Sequence, residues 1–375
     1  MKNRLSSNLL FGLAASAILA MPALAQESAA AESKGPEVKF SGEVEFDAYT
    51  GDVLNDDKQS HSYASTFDFN VDVQFNEKWS ASVQLEADGE MTDPTAIYNG
   101  AFIQYTHGEN AAVKFGDLTF SEGAFLNYYG YDDPADNAAG MTEHDIRGFE
   151  VDYSGLIVGL GFGRGDNDNQ VCTGEEGEEE CVGVAYDAHI AYELGLGEHV
   201  LRPYVDYKSY QEAKHNELHA GLDANLKFGA FGLHAVYGLH SDYLGEDSPK
   251  ATHAFLAEPS LEIGKVNVKG AAFYAYFDED EPTVHGEEIP EYFFAYAEPG
   301  VSVMDALALG IPLEYHTNTI DKNDDVSTFD VGVRAYFTPV EGLEVTGFAM
   351  VDIPVGDDAG DDTGLTFGLE SVFSF

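Results

Sequence analysis

Basic residues are scarce in this chain: 18 Lys and Arg stand against 67 Asp and Glu, a formal net charge of -49. That balance excludes a nucleic-acid binder, because phosphate binding needs a basic surface. Cysteine is scarcer still. Cys172 and Cys181 alone are too few for a disulfide-built scaffold or a cysteine-ligated zinc ribbon. Long hydrophobic runs are also missing. Past the N-terminal region, nothing approaches the roughly 18 apolar residues that a membrane-spanning helix needs. What is abundant is Phe (25), Tyr (21) and Gly (39), too much apolar and aromatic mass for a disordered acidic tail.

The N-terminus reads as an export signal. Lys2 and Arg4 precede an apolar run from Leu9 to Ala20; Pro22 breaks it, and Ala23-Leu24-Ala25 supplies the small-x-small cleavage pattern. The run is too short for a transmembrane anchor. Residues 1–25 are therefore expected to be a signal peptide and 26–36 a mobile leader, with 37–375 forming one domain. No Cys follows the cleavage site, so no lipid anchor is expected there.

From residue 37 onward the pattern repeats every two residues. Val38, Phe40, Gly42, Val44, Phe46 and Ala48 alternate with Lys39, Ser41, Glu43, Glu45 and Asp47; Phe67, Phe69, Val71, Val73 and Phe75 alternate with Asp68, Asn70, Asp72 and Gln74. Such alternation means strands with one apolar and one polar face. It predicts about 18 of them, near 38–50, 63–76, 78–90, 97–107, 111–118, 147–154, 156–165, 183–194, 200–210, 216–228, 231–243, 252–264, 266–278, 291–303, 305–319, 327–338, 342–353 and 363–375. Sixteen is the alternative, if 147–154, 200–210 or 291–303 do not form strands.

Alternation alone fits a secreted β-sandwich as well as a membrane barrel. The connections decide between them. Those after even-numbered strands are short, among them Asn76-Glu77, Ser154-Gly155, Gly195-Leu196 and Gly264-Lys265; those after odd-numbered strands are longer, polar and acidic. A sandwich has no reason to sort loop length by parity. A transmembrane antiparallel β-barrel does, with short periplasmic turns at one rim and long acidic external loops at the other. No charged residue falls at an apolar-parity position in the middle of a strand so read, where Arg or Lys would cost about 2–4 kcal/mol at the bilayer midplane. Aromatic residues gather toward both strand ends: Phe75, Trp79, Phe228 and Phe231 at one, Tyr49, Tyr63, Tyr237 and Tyr276 at the other.

The final stretch places Leu365, Phe367, Leu369, Ser371, Phe373 and Phe375 on one face. It resembles the C-terminal assembly signal of bacterial outer-membrane barrels, which implies that Phe373 and Phe375 are read by the barrel-assembly machinery. The segment Asn99 to Asp117, and Gly148 to Ser154 with Leu156 to Gly163, resemble the strands flanking the constriction loop of Gram-negative diffusion porins. That resemblance implies an outer-membrane location among lipid and lipopolysaccharide, a homotrimer, and a third external loop folded into the barrel. Here that loop spans about 118–146. It holds Phe125, Tyr128, Tyr129, Tyr131, Asp132, Asp133, Asp136, Glu143 and Asp145 as candidate constriction residues.

Parity turns a few basic residues inward, namely Lys39, Lys114, Arg202, Lys208, Lys227, Lys269 and Arg334, and many more carboxylates. A lumen of that sign concentrates cations and repels anions. His189, His219, His234 and His316 also face inward and read as separate hydrophilic lumen residues. Cys172 and Cys181 flank an acidic loop tip; in an oxidising compartment they are expected to form a disulfide. The acidic runs 166–169, 278–281, 321–325 and 357–362 have oxygens suited to calcium, but none carries the twelve-residue calcium-loop pattern, so they read as solvated loop tips. No cofactor, metal or catalytic motif is expected. The reading is a passive diffusion channel for small hydrophilic solutes with cation preference. A sugar-selective channel is the first alternative, with Phe102, Phe273, Phe277, Tyr336 and Phe348 available for stacking. A structural or adhesive barrel without an open pore is the second.

Overall fold

A computed structural model of the chain describes residues 35–51, 53–54, 60–89, 95–126, 141–163, 170–173, 180–212, 216–242, 244, 250–277, 283–284, 287–288, 291–321, 324–356 and 363–375. Among the described residues eighteen strands build one sheet, with 180–192 and 194–196 taken as one strand, 307–310 and 313–321 as another, and the short pieces 170–173, 283–284 and 287–288 left outside the count. The first seven are β1 (Glu37–Gly51), β2 (Ser60–Gln74), β3 (Trp79–Gly89), β4 (Thr95–Thr106), β5 (Ala111–Phe120), β6 (His144–Tyr153) and β7 (Leu156–Gly163). Next come β8 (Glu180–Tyr192, continued by Leu194–Leu196), β9 (His199–Tyr210), β10 (Glu217–Phe228), β11 (Phe231–Asp242), β12 (Lys250–Ile263) and β13 (Val266–Tyr276). The last five are β14 (Glu291–Met304), β15 (Leu307–Gly310, then Leu313–Asp321), β16 (Asp324–Val340), β17 (Leu343–Val355) and β18 (Gly364–Ser374). Pro312, which has no N–H to give the ladder, sits at the break in β15.

Each strand pairs antiparallel with the next, and β18 pairs with β1, so the sheet closes on itself and leaves no free edge. The seam is stitched by backbone bonds between Gly42 and Phe375 in both directions, at 3.1 and 3.0 Å. The count of eighteen removes the sixteen-strand alternative. At the short-turn rim, Tyr153 pairs with Leu156 around Ser154-Gly155, both at positive φ (52° and 86°), the two-residue turn whose twist matches its strands. The turn expected at Gly195-Leu196 lies two residues later. Leu196 still pairs with His199, and Gly197, at φ 72°, supplies the reversal.

Large apolar side chains cover the outer face, Phe40, Phe115 and Val333 among the most exposed. One pair breaks the expectation that this face carries no charge inside a strand. Asp117 on β5 and Arg147 on β6 stand opposite each other at outward parity, and Arg147 Nε donates to Asp117 Oδ1 at 2.6 Å. Asp117 also accepts the N–H of Ala101 at 3.0 Å, where β4 and β5 stop pairing beyond Phe102 and Gly116. The strand β6 begins three residues earlier than expected, which brings Arg147 inside it.

Inside the barrel lies a hydrophobic cluster. Val236, Ala254, Leu256, Ala271, Phe273, Ala275, Tyr292, Phe294 and Tyr296, from the inner faces of β11 to β14, pack with Phe277, Met141 and Phe125. A second cluster joins Leu118, Phe120 and Ile146 with Phe102 and Ile157. Phe120 lies over Gly159 of β7, where a β-carbon would collide with its ring.

Candidate functional site

The described ends of the segment between β5 and β6, residues 121–126 and 141–143, place Glu122, Gly123, Phe125, Leu126 and Met141 against the inner wall of the barrel. The segment runs from residue 121 to 143, shorter at both ends than the 118–146 expected, because Leu118 to Phe120 and His144 to Ile146 belong to strands. Its first residues are fastened to the inner wall of β8 to β13. Glu122 Oε2 lies 3.5 Å from His189 Nε2. The N–H of Gly123 donates to Asp223 Oδ2 at 3.3 Å, and the N–H of Leu126 to Glu258 Oε2 at 3.0 Å. Phe125 packs on Phe273, ring centroids 5.5 Å apart. Gly123, at φ 92°, lies so close to the Tyr204 hydroxyl that no side chain fits. At the far end, Met141 is buried in the same cluster as Phe273. Below Leu126 lies a cavity of about 510 Å³, with Asn225, Lys227, His234, Glu258, Ser260 and Glu262 in its lining.

The wall carboxylates that hold this segment are themselves held by histidines. His234, between Asp223 and Glu258, approaches Glu258 through Nδ1 at 2.6 Å and Asp223 through Nε2 at 3.3 Å. His189 Nδ1 approaches Asp206 Oδ1 at 2.6 Å, His219 Nδ1 approaches Asp206 Oδ2 at 3.4 Å, and His144 Nε2 approaches Asp187 Oδ1 at 2.8 Å. These histidines are therefore not separate lumen residues: His144, His189 and His219 form one network around Asp187 and Asp206. Buried carboxylates and imidazoles persist only when each is partnered, and here they partner one another.

Opposite this packed wall, the inner faces of β18, β1 and β2 carry Glu370, Glu43, Glu45, Asp47 and Asp68, all half-buried. The register sets Glu43 directly across from Asp68 and Asp47 across from Glu370. Like charges in direct cross-strand pairs are destabilising, and water and mobile cations are what offset the cost.

The basic lumen residues do not form a bank of their own. Lys39 stands opposite Asp72, Lys114 opposite Glu150, Arg202 opposite Asp223, Lys208 opposite Asp187 and Glu217, and Lys269 opposite Glu298. Three have ion-pair partners within reach: Lys114 with Glu150 at 3.1 Å, Arg202 with Glu193 at 2.8 Å, and Arg334 with Glu298 at 3.7 Å. Lys269 also rides over the Tyr336 ring at 5.0 Å.

Of the remaining expected residues, Glu143 and Asp145 are described, and Asp145 Oδ1 accepts the Thr119 hydroxyl at 2.7 Å on the outward side. That orientation takes Asp145 out of the constriction set. Tyr128, Tyr129, Tyr131, Asp132, Asp133 and Asp136 lie outside the described residues, as do the acidic runs 166–169, 278–281 and 357–362. Phe273 and Phe277 are 2% and 3% exposed, in the cluster that holds Met141 and Phe125, which removes them as stacking surfaces for a solute. The backbone sets Cys172 directly across from Cys181 in a short hairpin. Phe373 and Phe375 are exposed, their rings stacked 5.9 Å apart. Glu122, His144, Met141 and Tyr204 are site residues that periodicity did not single out. Only Tyr204, at an inward-parity position of the expected strand 200–210, carried a sequence signal.

Residues 12–297 match a family model described as Gram-negative porin. Solved outer-membrane barrels share the fold. OccK2 (OpdF) of Pseudomonas aeruginosa aligns with TM-score 0.61 at 12% identity, over 90% of this chain and 98% of that one. A BenF-like porin from Pseudomonas fluorescens aligns with TM-score 0.57 at 10% identity, over 90% and 98%. The trimer form of OmpT, an outer membrane protein of Vibrio cholerae, aligns with TM-score 0.53 at 13% identity, over 91% and 100%. A comparison with curated protein sequences gives no significant match.

Proposed function

The chain belongs to the Gram-negative porin family and is an outer-membrane channel, and on that premise we propose that it passes small hydrophilic solutes by passive diffusion with a preference for cations. One observation carries the reading: the segment from Glu122 to Leu126 is tied to one side of the lumen, while the opposite wall presents Glu43, Glu45, Asp47, Asp68 and Glu370. A solute path between the two runs along carboxylates. The basic lumen residues stand mostly opposite carboxylates of their own, so the surplus negative charge sets the potential. The segment 121–143 is the constriction in this reading. No residue takes a catalytic role. The working form is a homotrimer, in keeping with the trimer form of OmpT.

The test is the reversal potential of the folded protein in a planar bilayer under a KCl gradient. Stepwise conductance with a potential favouring K⁺ is expected. Anion preference sinks the electrostatic reading, and a folded, inserted barrel without conductance sinks the channel reading.

A further inference from the structure

The inner wall of β15 and β16 carries a cluster that the solute path does not explain. Glu314 and His316 lie two residues apart on β15 and so share a face, and Asp330 of β16 stands directly across from Glu314. We propose that Glu314, His316 and Asp330 form a binding site for a divalent transition-metal ion, set into the inner wall of the barrel.

The argument rests on how carboxylates meet imidazole in this protein. At His189 and His234 the two acidic neighbours approach opposite ring nitrogens, one each. Each of those rings is a strut between two carboxylates. His316 is different: Glu314 Oε1 and Asp330 Oδ2 both approach Nε2, at 2.6 and 3.5 Å. One ring nitrogen carries one proton and serves one good acceptor. Two carboxylates converging on it are left facing each other, a cross-strand like-charge pair that a shared cation relieves. Asp330 Oδ1 is buried and accepts no hydrogen bond from the described residues. That atom is a ligand oxygen without another occupation.

The shape of the cluster agrees. One donor atom from each of the three side chains lies within 4.8 Å of the others, so a small rotation of Asp330 closes them around an ion with bonds of about 2.0–2.2 Å. The ring is positioned from behind. Tyr292 Oη is 3.4 Å from Nδ1, and the Phe294 ring packs against the imidazole with centroids 5.2 Å apart. A group on the far ring nitrogen that fixes its orientation is what metal-ligating histidines need. One imidazole with two carboxylates suits zinc, manganese, cobalt or nickel over calcium or magnesium, which take oxygen ligands. Three protein ligands leave coordination positions for water.

The site is tested by binding, independent of conduction. The folded, untagged full-length barrel in detergent is stripped with chelator and dialysed against Zn²⁺ in an excess of Mg²⁺, which occupies oxygen-rich acidic loops. One Zn²⁺ per chain is expected. His316→Ala should abolish it, and Asp330→Asn, which keeps shape and removes charge, should weaken it roughly tenfold or more. His234→Ala, at a strut histidine, should leave it intact. Folding of each variant is read from heat-modifiable gel mobility, and the Asp330→Asn result stands if His316→Ala does not fold. Absence of stoichiometric uptake overturns the proposal, and so does uptake that His316→Ala and Asp330→Asn leave unchanged.

Discussion

The backbone N–H of Leu126 ends on the carboxylate of Glu258, 132 residues further along the chain, at 3.0 Å. The same Glu258 oxygen is 2.6 Å from His234 Nδ1, so one side chain fastens the start of the segment after β5 and anchors a wall histidine. Glu258→Ala should therefore loosen the segment. Breaking a buried ion pair of this kind costs about 3–5 kcal/mol. The expected outcome is a barrel that folds with lower heat stability and shows larger, noisier single-channel currents. Unchanged currents and permeability to larger sugars in a liposome-swelling assay would mean that the tether does not limit the path.

Charge on the opposite wall is tested by the triple variant Glu43→Gln, Glu45→Gln, Asp47→Asn. Removing three carboxylates from β1 should lower the K⁺ over Cl⁻ permeability ratio by roughly half or more, read from the reversal potential. In the unaltered protein the ratio should itself fall as salt rises from about 0.1 M to 1 M, because the Debye length shrinks from about 10 Å to 3 Å. A ratio indifferent to salt would place the selectivity elsewhere.

The outward pair Asp117 and Arg147 makes a stability prediction. Asp117 is nearly buried while Arg147 is half-exposed, so Arg147→Ala should cost about 1–2 kcal/mol, less than a fully buried pair. Arg147→Lys should recover part of that. The midpoint of urea unfolding in lipid vesicles is the measurement, and equal midpoints for all three proteins would contradict it.

Cys172 and Cys181 stand opposite each other in register, and the protein is exported, so they should be joined when the protein is taken from the cell. Intact mass with alkylation before and after reduction decides this. Reduction should leave barrel stability nearly unchanged, because the bridge closes only a short loop at a hairpin tip.

The barrel was legible because its signal is local. Alternation of period two and the sorting of loop length by parity are both written in consecutive residues, and they located strands such as 231–243 within a residue or two of their ends. The interior was less so. From Ala271 to Phe277 and from Tyr292 to Ala297, residues of both parities are apolar or aromatic, which marks a wall covered on both faces. Read by parity alone, Phe273 and Phe277 looked like solute-facing rings; the segment lying over them comes from more than a hundred residues earlier. The convergence of His144, His189 and His219 near Asp187 and Asp206 is also a product of closure, since their strands meet only in the finished sheet.

The two halves of the barrel wall consequently differ in kind. Strands β11 to β14 have lipid on one side and a dry, packed layer on the other, so their amides should exchange with solvent as slowly as those of a globular protein's core. Strands β18, β1 and β2 carry half-exposed carboxylates on their inner face and depend on lateral pairing and lipid alone. The barrel thus carries a rigid spine along one side and a compliant, hydrated arc along the other, and thermal opening should begin at the β18–β1 seam.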